Sequence, residues 1–146
     1  MSRVMEAVAC FNSGFNCSQS ILSTYGTEFG IDRDIALKLA TGFGGGMGRM
    51  AETCGAVTGA LMVIGLKYGK CNPGDDDKRE KTYELVKEFR RRFEDTNGTV
   101  VCRNLLNCDI STESGLIRAR DTGLFKTLCP KMVSDSAEIL EDMLLD

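Results

Sequence analysis

Seven cysteines and no histidine set the chemistry open to this chain. Without histidine, the commonest general base and the commonest nitrogen ligand for metals are both missing. Sulfur is then the group most able to do chemistry. The cysteines stand at Cys10, Cys17, Cys54, Cys71, Cys102, Cys108 and Cys129, an odd number with no pair at CxxC spacing. That pattern excludes a zinc ribbon, a thioredoxin-type motif and a disulfide-framework miniprotein. Any sulfur site has to be assembled by the fold from distant positions.

Four of the seven share one kind of position, the start of an expected helix. Cys17 follows Asn16, Cys54 follows Thr53, Cys102 lies in the first turn after Thr99, and Cys129 precedes Pro130. Asn16, Thr53, Thr99 and Cys129 itself are the expected caps. Helix starts present free N–H groups and a partial positive charge, which favour a thiolate over a thiol. Cys17, Cys54, Cys102 and Cys129 are therefore expected to converge at one end of a helical bundle.

Three functions suit such a site. The first is an electron carrier with a small metal-thiolate centre, for which an all-sulfur ligand set favours an iron–sulfur cluster, with zinc as the other metal. It requires a redox partner protein. The second is a metal-free thiol–disulfide oxidoreductase, with Cys54 attacking and another cysteine resolving. The third is a helical binding or scaffold module in which the thiols only pack, since free cysteine is a common small core residue. Packing suits Cys10 in mid-helix, Cys71 in a turn and Cys108 in a loop.

The remaining motifs carry less. "GFGGGMG" admits no placement of G-x-G-x-x-G, is followed by no GK[ST] and preceded by no strand, so no nucleotide is expected. Its glycines are expected to turn the chain sharply past the cysteine end. Asp75, Asp76 and Asp77 read as a solvated helix start rather than a cation site. "EFRRRFED" is an amphipathic surface helix, and a net charge of −3 gives no signal for nucleic acid. Glu52 and Glu113 are lone acids near the proposed helix starts.

The elements that must position the thiols are helices almost throughout. Stripes such as Val4, Ala7, Val8 and Phe11, or Val133, Ala137, Leu140 and Leu144, recur at helical spacing, and no period-2 strand stands out. Asp32 caps a helix with Ala36, Leu39, Ala40 and Phe43 on one face. The segment at roughly 53–68 is apolar on all sides and is expected at the centre, with Gly55 and Gly59 one turn apart to admit a neighbouring backbone. The reading is all-α: a single domain, 1–146, built as a bundle of about six or seven helices. The longest apolar run, Cys54 to Leu66, is too short to span a bilayer, and the first residues lack a long apolar stretch. A cytoplasmic protein without membrane insertion is expected, and a homo-oligomer is compatible with the sequence.

The segments "GFNCSQSIL", "LATGFGGGMG", "CGAVTGALMVIGLKYG", "VVCRNLL" and "LCPKMVSDSAEIL", in this order, resemble a bacterial family of redox-active proteins labelled by a C…GCAxxG…C…C cysteine pattern. The resemblance spans nearly the whole chain. It places the family's four cysteines on Cys17, Cys54, Cys102 and Cys129. The central motif departs in its letters, reading Thr53-Cys54-Gly55-Ala56. A similar domain accompanies an iron centre in split-Soret type cytochromes. Their haem does not transfer, because this chain has no C-x-x-C-H and no histidine. What the resemblance implies is redox function.

Overall fold

The segment Gly55–Tyr68 bears a single charge, Lys67, and offers no polar face to solvent. Its neighbours must surround it. In the computed structural model, which describes residues 2–144, this segment is the central helix α4. Three helices pack around it: α2 (Cys17–Gly26), α5 (Asp76–Asn97) and α9 (Cys129–Leu144). Helix α1 (Val4–Asn12) rests on α2 and α9, and α3 (Arg33–Ala40) rests on α2. Three short helices follow α5: α6 (Cys102–Leu106), α7 (Glu113–Asp121) and α8 (Leu124–Thr127).

The protein is all-α, with nine helices among the described residues rather than six or seven. The excess arises after Cys102, where left-handed residues interrupt the chain. Asn107 (φ 50°) ends α6, and Gly123 (φ 71°) separates α7 from α8. Two 3-10 turns, Thr27–Phe29 and Thr41–Phe43, extend α2 and α3. The one extended pairing described is an isolated antiparallel bridge between Thr53 and Val101.

Helix α4 contains three glycines, each costing about 1 kcal/mol in a helix interior. Propensity alone would not hold it. Burial does, since each large apolar side chain removed from water contributes about 1.5–3 kcal/mol. Ile21, Leu22 and Tyr25 of α2, Val57, Val63 and Ile64 of α4, Phe89 and Phe93 of α5, and Val133 and Leu140 of α9 are all buried there. The glycines earn their place by proximity. A Cβ on Gly59 would lie 2.8 Å from the Ser18 carbonyl oxygen, and one on Gly55 2.9 Å from the Ser18 nitrogen. The close approach expected from their spacing is thus made by α2. Buried Ser136 donates to the Ala56 carbonyl at 2.8 Å, tying α9 to the first turn of α4. Among the described residues no buried side-chain polar atom lacks a partner.

One expected stripe is corrected. Helix α3 buries Ala36, Leu37 and Ala40, while Leu39 is 55% exposed. The helix lies chiefly against α2, so only a narrow stripe at i, i+1 and i+4 is covered. Among the described residues no helix is long and apolar enough to cross a membrane.

Candidate redox centre

Each of the four cysteines at expected helix starts sits within one residue of such a start. Cys17 is the first residue of α2. Asn16 before it forms a full capping box: its side chain accepts from the Gln19 N–H at 2.8 Å, and the Gln19 side chain accepts from the Asn16 N–H at 2.9 Å. Cys129 is the first residue of α9 rather than its cap, with Pro130 second.

The other two starts differ from expectation. Cys54 is itself the N-cap of α4, and Thr53 is not. Cys102 opens α6 behind Val101, while Thr99 accepts a side-chain hydrogen bond from the Val101 N–H at 3.0 Å. The cause is a backbone clamp between the two segments. The Cys54 N–H donates to the Val100 carbonyl at 2.8 Å, the Cys102 N–H to the Glu52 carbonyl at 2.6 Å, and the Arg103 N–H to the Ala51 carbonyl at 3.2 Å. Thr53 and Val101 are held extended by this pairing, which sets Cys54 opposite Val100 and Cys102 opposite Glu52, with both cysteines diagonal on one face of the clamp.

The four cysteines line one cleft of about 500 Å³. The glycine loop forms part of its wall. A Cβ on Gly46 would stand 2.7 Å from the Cys102 Cβ, so only glycine lets the loop pass there. All seven cysteines are free thiols. Cys10 lies outside the cleft on α1, 3.7 Å from the Ser23 hydroxyl, and Cys71 is exposed in a turn. Cys108 is buried near Cys102, in the same small apolar cluster, and donates to the Gly115 carbonyl at 3.2 Å. Glu52 is paired at the surface with Arg103 at 2.6 Å, and Glu113 is exposed in the first turn of α7.

The thiols do not share one acidity. Hydrogen bonds to Cys129 and Cys54, followed by burial, push the Cys17 thiol well above the usual range. The Cys54 thiol is lowered, first by the hydrogen bond from Cys17 and then by the Ala56 and Val57 N–H groups, against an opposing effect of burial. Cys54 is thus the thiol of the set shifted toward ionisation, favoured by a neighbouring thiol and by the start of its own helix. Burial, then the proximity of Cys54 and Cys129, raises Cys102 to about 12. One sulfur is ready to ionise while others nearby hold their protons.

Sequence reasoning did not single out Arg49 or Arg120, the two charged residues that line the cleft. Neither falls in a motif, and only the folded approach of the glycine loop and α7 brings them there.

Residues 15–143 match the family described as "Putative redox-active protein (C_GCAxxG_C_C)". No curated protein and no solved structure matches the chain. Its central run Cys54-Gly55-Ala56-Val57-Thr58-Gly59 begins with the lowered thiol and carries both glycines against which α2 packs. With that run in place and the match extending over residues 15–143, the chain belongs to this redox-active, cysteine-patterned family.

Proposed function

We propose that the protein is an electron carrier whose centre is an iron–sulfur cluster held by Cys17, Cys54, Cys102 and Cys129. The observation that carries this reading is the convergence of four thiols, from four separate helix starts, on one cleft. The donor set is soft and entirely sulfur, as such a cluster requires. Zinc suits the same four thiolates, and acid-labile sulfide together with iron is what sets the cluster apart.

When bound, the cluster supplies one-electron transfer. The chain's own residues set the conditions. The Ala56 and Val57 N–H groups favour negative charge on the Cys54 sulfur, and the bare Gly46 leaves room beside Cys102. A redox protein is the partner this function calls for, and a reducing cytoplasm suits seven free thiols. The test is protein purified without oxygen. It is expected to be brown and to contain iron and acid-labile sulfide in comparable amounts. Colourless protein without either would reject the reading.

A second reading draws on a different observation, the opposed acidities of adjacent Cys17 and Cys54. In a metal-free protein the Cys54 thiolate attacks a substrate disulfide, whose S–S bond breaks and releases one thiolate. Cys17 then loses its proton and attacks the Cys54 sulfur, forming a Cys17–Cys54 disulfide and releasing the second thiolate. The substrate gains the two electrons that the pair loses. Reversible loss of two thiols without any metal would favour this reading over the first.

A further inference from the structure

The redox centre leaves the lining of its cleft unexplained. Two charged side chains line that cleft, Arg49 and Arg120, and no carboxylate does, although the chain as a whole is acidic with a net charge of −3. Nearby arginines have partners: Arg103 pairs with Glu52 at 2.6 Å, and Arg118 donates to the Asn107 carbonyl at 3.1 Å. Among the described residues Arg49 and Arg120 make neither an ion pair nor a side-chain hydrogen bond.

Arg49 carries a second, independent observation. The loop from Gly45 to Ala51 is left-handed at nearly every residue. Glycines adopt φ near +60° freely, whereas Met47 (66°), Arg49 (62°) and Ala51 (59°) are strained there. Burial offsets the strain at Ala51, which is fully buried in the cluster with Cys102 and Ile110. Met47 is half-buried. Arg49 is exposed, and among the described residues no ion pair or side-chain hydrogen bond compensates for a side chain at this position. A glycine would serve the loop better.

We propose that Arg49 and Arg120 are the recognition groups of a small-molecule site over the thiols, whose ligand is a small oxyanion, carboxylate or phosphate, with an apolar body. Guanidinium groups match carboxylate and phosphate geometry in a way that lysine does not. The apolar body has Phe11, Phe15, Leu105 and Phe125 to lie against. A volume of about 500 Å³ suits a small ligand, whose sites span roughly 300–1,000 Å³. The site rests on the redox reading only for the purpose of the thiols beneath it. Its preference for an anion holds whether or not those thiols carry a metal.

The test uses the metal-free, reduced chain and follows alkylation of Cys54 by neutral iodoacetamide, read by mass spectrometry of its peptide. Benzoate or phenyl phosphate is expected to slow the reaction at least about threefold, while neutral benzamide does not. Protection should be lost in Arg49→Gly and in Arg120→Gln. Arg49→Gly should also raise the urea midpoint, because it relieves the left-handed strain. Equal protection by benzamide, no protection by either anion, or protection that survives both substitutions would overturn the proposal. So would a lowered midpoint in Arg49→Gly, which makes Arg49 a packing residue, or a Cys54 that the neutral reagent never reaches. Iron and sulfide are assayed separately on the unvaried chain, so their absence rejects the cluster and leaves this result to be decided on its own.

Discussion

At Cys54 a sulfur occupies the place where a helix start is commonly capped by oxygen. Serine there can still accept a first-turn N–H, yet it cannot provide a soft thiolate at neutral pH. Cys54→Ser is therefore expected to fold with near-native helicity by circular dichroism and to lose no more than about 1 kcal/mol in urea unfolding. It should fail to retain iron and sulfide, or to titrate a reversible thiol pair. Cys10→Ser, on α1 outside the cleft, should keep both properties. A Cys54 variant with full metal and thiol titration, beside a Cys10 variant without them, would show that the wrong sulfurs had been assigned. Cys54 should also be alkylated before Cys102 as pH rises from neutral, since one is lowered and the other raised to about 12. Peptide mapping after brief exposure to iodoacetamide reads that order.

Helices α2 and α4 meet as closely as their backbones allow, and the contact depends on hydrogen atoms where other residues carry carbon. Gly59→Ala places a methyl group 2.8 Å from a main-chain oxygen that no rotamer change can move. The two helices must separate, at an expected cost of about 1–3 kcal/mol by urea unfolding, and Gly59→Leu should cost more. An unchanged midpoint would mean that the helices part without loss. This contact was legible in the sequence, because two glycines one turn apart in an all-apolar helix have few other uses. The caps at Asn16 and Asp32 were legible for the same reason: each bonds N–H groups two or three residues away. Thr53 and Thr99 were misread as caps because their conformation answers to a distant partner. The clamp between segments 51–54 and 100–103 takes both into extended pairing, and no local rule contains that contact. Arg49 stayed hidden likewise, since its left-handed backbone is imposed by the loop around it.

Across the whole molecule the raised thiols tie stability to pH. Cys17 and Cys102 are held neutral in the folded state, Cys102 up to about 12. In the unfolded chain a thiol ionises from about 8.5. Their contribution is therefore complete below about pH 8.5 and is lost as pH rises through the folded values. Cys54, lowered on folding, acts in the opposite direction: its contribution is present above the unfolded value and lost as pH falls through the folded one. With two raised thiols against one lowered, the urea midpoint of the metal-free protein should fall from pH 8.5 toward 12. Cys102→Ala should flatten that decline. A midpoint indifferent to pH across this range would mean that the thiols ionise alike in both states.

The clamp that puts Cys54 and Cys102 on one face has a consequence for how the protein is made. Those two thiols come into place together once residues 51–54 meet residues 100–103. Cys17 arrives with α2, pressed against α4 early in the chain, but Cys129 belongs to α9, which is synthesised after the other three segments. A growing chain can thus hold three walls of the cleft in order while the fourth has not yet been translated. All four thiols share the cleft only once α9 has been synthesised, and a chain stopped short of it lacks the complete set.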